Sequence, residues 1–233
     1  LAYQRGFGGH FHNDNSFAVF RDVPGLILAC PSHGADAVSM LRESIRLAHE
    51  EQKFVIFLEP IALYMTRDLH EPGDGLWTSQ YTSPAENRTV SFGELGIYGE
   101  GEELAIVTYG NGYYLSRQAA KDLENLGIQL KVIDLRWLIP LNHEGLIDEL
   151  QGASHVLIVD ECRQTGSLSE EIITHMQQGL SDLPKISRVT GHDSFIPLGS
   201  AAYEVLPSKE EIVHQAMALL GIERHAEEAS GES

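Results

Sequence analysis

The segment from Arg5 to Asn15 has the residue types best suited to chemistry in this sequence. It is polar and rich in glycine, and Gly8 and Gly9 allow the backbone to approach a ligand closely. His10 and His12 add imidazoles, whose ordinary pKa lies near neutrality, as acid-base catalysis requires. We predict a loop here, and two interpretations stay open: an active-site loop, or a surface turn with hydrated histidines.

A metal site in the same loop is a third interpretation. His10, His12 and Asp14 are possible ligands, but a metal ion needs ligands held in a fixed geometry, and nothing else nearby in the sequence completes such a set. Cys30 and Cys162 match neither a zinc spacing nor a disulfide framework. The sequence therefore predicts no metal-binding residues.

A second chemically interesting segment, Asp160–Ser167, follows an apolar run and precedes a helical pattern. Open α/β sheets place ligands at such strand ends, and a helix start can bind an anion. A structural interpretation is favoured, in which Thr165 or Ser167 caps the helix and Arg163 pairs with a carboxylate. Cys162 is expected to be an inert thiol, because nothing in the sequence places a base beside it.

The first elements read as strand, helix, strand. Leu26–Cys30 is a short apolar run, and Ser32 is the expected N-cap of a helix that buries Val38, Leu41, Ile45 and Ala48. Phe54–Leu58 is typical of a strand covered on both faces. Periodicity then disappears between Thr66 and Glu103, where Gly and Pro are frequent.

A second alternation of strands and helices begins at Leu104. The predicted strands are 104–109, 129–134, 155–160 and 186–190, and the predicted helices are 115–126, 144–150, 167–178 and 208–219, the last opened by a capping box at Ser208. This order favours an α/β fold. We predict two three-layer α/β/α units with mostly parallel sheets, the first incomplete.

Composition narrows the possible partners and location. The chain has 233 residues, 42% of them hydrophobic, and its 16 Lys and Arg against 34 Asp and Glu give a formal charge of -18. Such a charge disfavours nucleic acid and anionic membranes. No apolar run reaches the roughly 20 residues of a membrane helix, residues 1–9 lack a signal-peptide layout, and the cysteines fit a reducing compartment. A cytoplasmic protein is expected.

Several segments together resemble the β subunit, or β-like C-terminal half, of the E1 component of thiamine-diphosphate-dependent 2-oxo acid dehydrogenases, of the branched-chain and pyruvate dehydrogenase type. They are Gly8-Gly9 followed by His12-Asn13-Asp14-Asn15, Val23-Pro24-Gly25-Leu26, Pro31-Ser32, Phe57-Leu58-Glu59-Pro60 with Leu63-Tyr64, Val107-Thr108-Tyr109-Gly110, Val132-Ile133-Asp134-Leu135-Arg136, Pro140-Leu141, Asp160-Glu161 with Thr165-Gly166, Arg188-Val189-Thr190-Gly191 with Asp193, and Ile196-Pro197. These segments occur in the family's order over residues 1 to about 220. The resemblance implies a partial pyrimidine-binding domain over 1–85, a linker over 86–102, a transketolase-type C-terminal domain over 103–221 and a flexible tail over 222–233.

The resemblance also implies that His12 is the catalytic residue. In the family a His-Ser-x-Ser stretch, twelve residues before the Pro of Val-Pro-Gly, borders the thiazolium ring. His12 has that spacing from Pro24, whereas Asn13 and Asn15 replace the two serines. This departure affects which oxo acid and which acyl acceptor are used. Glu51–Phe54 departs from the family's Asp-x-x-Pro pattern, so no potassium site is predicted.

The cofactors, thiamine diphosphate and Mg²⁺, are expected only in the intact enzyme. In the family the Glu and the aromatic residue at the aminopyrimidine lie upstream of this chain's first residue, Leu1, and the α subunit supplies the diphosphate and magnesium ligands. Gly73-Asp74-Gly75 superficially matches the start of the diphosphate motif, but no apolar strand precedes it and Asn87 follows too soon. No cofactor-binding residue is assigned, and the chain alone is expected to be inactive.

The expected function of the parent enzyme is oxidative decarboxylation of a 2-oxo acid with acyl transfer to lipoamide. Its partners would be an E1 α subunit or α-like half, an E2 lipoyl acyltransferase and a further copy of the chain in a homo-oligomer, since an incomplete sheet and the apolar segment Phe54–Tyr64 require cover. Two alternatives stay open: a transketolase or deoxyxylulose-phosphate synthase relative, and a non-catalytic module for subunit assembly or E2 docking.

Overall fold

The computed structural model describes residues 12, 14–86 and 89–222 of the chain. Its strands are β1 (Leu26–Ala29), β2 (Phe54–Phe57), β3 (Gly96–Tyr98), β4 (Leu104–Thr108), β5 (Leu130–Asp134), β6 (Trp137–Ile139), β7 (His155–Arg163) and β8 (Lys185–Gly191). Its α-helices are α1 (Gly34–Glu50), α2 (Gly110–Asn125), α3 (His143–Leu150), α4 (Leu168–Gly179) and α5 (Lys209–Leu220), and short 3-10 helices cover Ser16–Asp22, Ile61–Leu63, Pro84–Glu86 and Gly199–Glu204. Within this described part, no helix is both long and apolar enough to cross a membrane.

The strands form two sheets, as the sequence predicts. The first has the order β2-β1-β6, with β1 and β2 parallel and β6 antiparallel to β1. The second has the order β3-β5-β4-β7-β8 and is parallel except for β3. The predicted mixed α/β class is therefore confirmed. The domain boundaries stay a prediction, although β3 lies inside the stretch assigned to the linker.

The second sheet lies between two layers of helices. Alternation along β4 directs Ala105 and Val107 towards the cluster that includes Leu146 of α3 and Ile172 of α4. The residues between them, such as Ile106, face the opposite cluster, to which α2 and α5 contribute. At the helix starts, the predicted capping role of Ser208 is confirmed because its Oγ accepts a hydrogen bond from the Glu211 amide at 3.1 Å. Ser167 is the N-cap of α4, but its side chain makes no capping hydrogen bond.

The first sheet is smaller and shares its core with the second. Its β1 side chains Leu26 and Leu28 join the cluster that contains Ala105 and Val107. On the other face, Ile27 packs with side chains of α1 and with Trp137 of β6. The short strand β6 was not predicted, and it makes the first sheet depend on residues from the C-terminal part of the chain.

Three local predictions for the first unit are wrong. Helix α1 buries Met40 and Leu47, whereas Leu41 is 46% and Ile45 61% exposed, so the predicted apolar face points away from the core. Strand β2 is an edge strand with no buried residue instead of a strand covered on both faces. The N-cap is His33, whose Nδ1 accepts from the Ala35 amide at 3.4 Å, because the Ser32 hydroxyl is used elsewhere.

Candidate functional site

The residues that follow His12 are fixed at the carboxyl end of β7. His12 is an exposed turn residue, whereas Asn15 is buried and its Nδ2 donates a 2.7 Å hydrogen bond to the backbone carbonyl of Glu161. Asp14 forms an ion pair with Arg163, with 2.9 Å between Oδ1 and Nη2. His10 and most of the glycine-rich loop, together with Asn13, lie outside the described residues, so the loop prediction stays a prediction.

Arg163 and Cys162 have structural roles at this strand end. Arg163 also donates to Ser16 Oγ at 2.8 Å and to the Ser194 carbonyl at 3.2 Å, so the predicted pairing of this arginine with a carboxylate is confirmed as part of a wider network. The Cys162 thiol donates to the Asn15 carbonyl at 3.0 Å. Burial raises the pKa of Cys162 well above its ordinary value, so the thiol stays protonated, which supports the prediction of an inert cysteine.

Asp160 is a fully buried carboxylate at the centre of this region. Its Oδ1 accepts hydrogen bonds from the Tyr109 hydroxyl at 2.5 Å and the Cys162 amide at 2.9 Å, and its Oδ2 accepts from the Ser169 amide at 2.8 Å. Burial, followed by the charge of Asp160, raises the pKa of Tyr109 well above its ordinary value. Asp160 therefore joins the end of β7 to the start of α4 through the Ser169 amide, and to the start of α2 through the neutral phenol of Tyr109.

Glu161, the next residue, binds the start of α2. Its Oε1 accepts from the Asn111 amide at 2.9 Å, where the helix dipole favours negative charge. Burial nevertheless raises the pKa of Glu161 to about 7, against the opposing effect of hydrogen bonds from the Asn111 and Gly112 amides. Within the described part of the chain, Glu161 Oε2 is buried and has no hydrogen-bond partner.

Asp134, at the end of β5, is a second buried carboxylate at the same helix start. Its Oδ1 accepts from Ser32 Oγ at 2.9 Å, and that hydroxyl accepts from the Gly110 amide at 2.8 Å. Burial raises the pKa of Asp134 to about 7, although Arg136 and the Ser32 hydroxyl act in the opposite direction. Neither carboxylate was assigned as a site residue, although Glu161 lies in the Asp160–Ser167 segment. The available signal was that Asp134 ends β5 and that Glu161 follows the apolar run of β7.

A cleft of about 610 Å³ lies near the carboxyl ends of β1 and β2. Apolar side chains including Phe57, Leu63 and Trp77 line it, together with the polar side chains His33 and Glu59. Parallel α/β sheets bind ligands at this edge. The sequence did not identify the cleft, because its lining comes from the segment without periodicity after Thr66 as well as from the strand ends.

Gly73-Asp74-Gly75 lies in a turn whose carboxylates accept hydrogen bonds from the backbone amides of the same segment. The Asp74 carboxylate accepts backbone hydrogen bonds from Leu69, His70, Glu71 and Leu76 at 2.7–3.0 Å. The neighbouring Asp68 accepts from the Gly73 and Gly75 amides, both at 2.8 Å. Because both oxygens of Asp74 are used within the turn, this segment does not present the carboxylate of a metal and diphosphate motif.

Comparison with known proteins assigns the family. Residues 93–212 match the family described as "Transketolase, C-terminal domain". The chain belongs to this family. The matched range of the transketolase C-terminal domain holds all five strands of the second sheet and the buried carboxylates at the start of α2.

Curated relatives extend the similarity beyond this domain. The pyruvate dehydrogenase E1 component subunit beta of Staphylococcus aureus (strain Mu50) is 28% identical over 217 residues, which is 90% of this chain and 62% of that protein. The subunit of the same name from Staphylococcus epidermidis (strain ATCC 12228) is 28% identical over 221 residues, 92% of this chain and 63% of that protein. The resemblance inferred from the sequence is confirmed, and the chain spans about 62% of the length of these relatives.

Solved structures support the same fold. A chain titled "Split gene transketolase, inactive beta4 tetramer" superposes with a TM-score of 0.67 at 21% identity, covering 92% of this chain and 64% of that one. A 2-oxoglutarate:ferredoxin oxidoreductase from Magnetococcus marinus superposes with a TM-score of 0.55 at 16% identity, covering 89% of this chain and 45% of that one. At these identities the likeness concerns the fold.

The described residues do not fit thiamine diphosphate and Mg²⁺ as a complete site. Asp74 is saturated by its own turn, and the buried carboxylates Asp134, Asp160 and Glu161 face helix starts and backbone amides instead of a cavity. Cys162 is a protonated thiol. The arrangement can therefore position the His12 turn, but these described residues do not by themselves form a site for that cofactor.

Proposed function

We propose that this chain is the C-terminal part of the E1 component of a thiamine-diphosphate-dependent 2-oxo acid dehydrogenase. The complete enzyme would decarboxylate a 2-oxo acid oxidatively and transfer the acyl group to a lipoyl carrier. His12 would be a catalytic residue of that enzyme, as hydrogen-bond partner or proton donor to the substrate. The chain by itself would be inactive and would bind no thiamine diphosphate.

The bond from Asn15 to the Glu161 carbonyl carries the proposal. It fixes the backbone three residues after His12 to a buried strand end, at 2.7 Å, and the Asp14 to Arg163 ion pair holds the same turn from a second side. An acid-base residue needs such positioning, because orientation supplies a large part of rate enhancement. The 28% identity to pyruvate dehydrogenase E1 subunit beta over 90% of the chain supports the same reaction class.

The partners proposed for this enzyme are an E1 α subunit or α-like half and an E2 lipoyl acyltransferase. The α partner would supply the diphosphate and magnesium ligands, since the turn at Asp74 binds its own backbone. Leu41 and Ile45 on α1 offer an exposed apolar surface of the kind that interfaces cover. The chain is proposed to act in the cytoplasm, where such thiols as Cys30 and Cys162 remain reduced.

A non-catalytic assembly module is the second candidate function. It is favoured by the same exposed face of α1 and by the edge strand β2, whose Phe54 is 68% exposed. In that case His12 would be a surface residue with no effect on turnover. A transketolase-like activity has weaker support, because the likeness to the split gene transketolase, at 21% identity, concerns the fold.

The test compares this chain alone with the complete enzyme, assembled from the full-length β chain and its α partner. Each is assayed for 2-oxo acid decarboxylation and for acylation of a lipoyl domain, as wild type, as His12→Ala and as the control His214→Ala, an exposed histidine of α5. We expect no turnover by the chain alone and a loss of about 100-fold or more for His12→Ala in the complete enzyme. His214→Ala should retain wild-type activity.

Two results would separate the candidates. Full activity of the complete His12→Ala enzyme would remove the catalytic role of His12 and favour the assembly module. Turnover or micromolar thiamine diphosphate binding by the chain alone would contradict the proposal that the cofactor site lies elsewhere.

A further inference from the structure

Three potential metal ligands converge on the surface formed by α3 and α4, away from the His12 turn. His143, Glu171 and His175 each offer a ligand atom, and these atoms all lie within 4.8 Å of one another. The His143 Nε2 to Glu171 Oε1 distance is 3.4 Å. Since zinc binds imidazole nitrogen and carboxylate oxygen at about 2.0–2.2 Å, neighbouring ligand atoms of a tetrahedral ion lie roughly 3.3–3.5 Å apart. This pair already has that separation.

The backbone preorganises the three side chains. Glu171 and His175 are four residues apart on α4, so they lie on the same face of the helix, one turn apart. His143 is the first residue of α3, and the Asn142 side chain caps that helix by accepting from the Gly145 amide at 3.0 Å. The cluster therefore rests on two packed helices instead of on a mobile loop.

Arg21 orients the carboxylate of this cluster. Its Nη2 lies 3.0 Å from Glu171 Oε2, while its Nη1 donates to the Gly166 and Ser167 carbonyls at 3.1 and 2.9 Å. Only one oxygen of Glu171 is bound by the arginine, so Oε1 remains directed towards His143. Metal sites regularly contain such groups, which do not bind the ion themselves but hydrogen-bond to one of its ligands and orient it.

The two imidazoles are adjacent, and one side-chain rotation separates them from an arrangement that a metal ion would use. The rings of His143 and His175 are stacked with centroids 3.3 Å apart, and within the described residues His143 Nδ1 is buried and has no hydrogen-bond partner. Because the nitrogen lone pairs lie in the ring planes, His175 must rotate out of the stack to share an ion with His143. His175 is partly exposed and lines a surface cavity, which leaves space for this rotation.

We propose that His143, Glu171 and His175 bind a divalent transition-metal ion of the zinc type, with water completing the coordination. Two imidazoles and one carboxylate select such an ion over Mg²⁺ or Ca²⁺, which prefer all-oxygen sites. The bound ion links α3 to α4 and, through Arg21, to the segment that follows the His12 turn. This site is independent of the proposed activity.

The test titrates the metal-free 233-residue chain with Zn²⁺, Ca²⁺ and Mg²⁺ by calorimetry and replaces Zn²⁺ by Co²⁺ for visible absorption. The variants are His175→Ala and Glu171→Gln, and the control is His214→Ala, an exposed histidine of α5. We expect one Zn²⁺ per chain, no binding of Ca²⁺ or Mg²⁺ in the same range, and the intense visible bands of low-coordinate Co²⁺. His175→Ala should weaken Zn²⁺ binding by at least about 100-fold, since even groups behind the ligands contribute about 10–100-fold.

The site is supported if both variants lose affinity while His214→Ala binds Zn²⁺ as the wild type does. Circular dichroism of each variant establishes that the fold is retained, and the intact fold of Glu171→Gln provides a second reading if His175→Ala is destabilised. Equal loss in the control, unchanged binding in both variants, or binding of several ions per chain without a defined stoichiometry would reduce the cluster to adventitious surface histidines and overturn the proposal.

Discussion

The Asn15 side chain and the Glu161 carbonyl, 146 residues apart in the sequence, form a buried 2.7 Å hydrogen bond. A second hydrogen bond joins Asn15 to the same strand end: the Cys162 thiol donates to the Asn15 carbonyl at 3.0 Å. Asn15 is thus held through its side chain and its backbone. Asn15 therefore helps to set the position of the turn that contains His12, together with the ion pair between Asp14 and Arg163.

Replacement of Asn15 should therefore destabilise the protein as well as the turn. Asn15→Ala removes the donor and leaves the Glu161 carbonyl buried without it, which costs about 1–3 kcal/mol of unfolding free energy. Urea denaturation measures the change, and proteolysis near residue 12 should become faster. Asn125→Ala, at the exposed end of α2, is the matched control and should change stability by less than about 0.5 kcal/mol. Equal effects of the two substitutions would show that the buried bond contributes nothing.

Arg136 and Asp36 join α1 to the segment between the two sheets, and this ion pair should be important for stability. Nε and Nη2 of Arg136 lie 3.1 and 2.8 Å from Asp36 Oδ2, and both side chains are largely buried. Asp36→Ala leaves a buried guanidinium with a missing partner and should cost about 3 kcal/mol. Glu94→Ala removes a half-exposed carboxylate 3.5 Å from the same arginine and should cost less than about 1 kcal/mol. Urea denaturation of both variants measures the two losses of unfolding free energy. A larger loss for Glu94→Ala than for Asp36→Ala would contradict the prediction.

The buried carboxyl of Glu161 predicts a definite pH dependence. Its pKa is about 7 in the folded protein, because of burial, and about 4.3 in an unfolded chain. Between these values the folded state binds more protons, so the unfolding free energy falls as pH rises, by at most about 1.4 kcal/mol per pH unit for this group. Asp134, whose folded pKa is also about 7, acts in the same direction.

Glu161→Gln should make this decline shallower without abolishing it, since Asp134 remains. The measurement is urea denaturation at several pH values between about 5 and 7, with Glu124→Gln, an exposed residue of α2, as the control. Parallel curves for Glu161→Gln and the wild type would contradict the raised pKa.

The exposed apolar surface of the first unit predicts self-association. Leu41, Ile45 and Phe54 are 46%, 61% and 68% exposed, and β2 leaves an unpaired sheet edge beside them. Light scattering at micromolar concentration should show a dimer or a larger species. Leu41→Asp with Ile45→Asp should shift it towards the monomer, whereas Leu183→Asp, at a 54% exposed leucine before β8, should not. A wild-type monomer would rule out this association.

The central strands of the second sheet, β4, β5 and β7, could be predicted from the sequence because they are buried on both faces. Continuous apolar runs such as Leu104–Thr108 identified them, and the capping box at Ser208 located α5. Strand β6 was missed, since a strand of three residues that begins two residues after β5 has no periodicity of its own. Helix α1 was predicted as an element but with the wrong buried face, because hydrophobic spacing marks apolar surface without telling core from interface.

The candidate site was only partly predictable for a related reason. The sequence indicates that Asp160 and Glu161 end a strand, and it cannot indicate that one binds the start of α4 and the other the start of α2. Those contacts depend on the crossovers of the whole sheet. The cluster of His143, Glu171 and His175 is equally invisible in sequence, since it joins two helices separated by strand β7.

Strand β6 connects the two sheets directly. It follows β5 after Leu135 and Arg136, yet it pairs with β1, so the chain passes from the second sheet into the first within two residues. Unfolding of either sheet should therefore destabilise the other, and heating should unfold both in a single calorimetric transition. A polypeptide cut between α1 and β4 would leave β1 and β2 without their third strand. The first sheet can then form completely only in a piece of the chain that includes both Leu28 and Trp137.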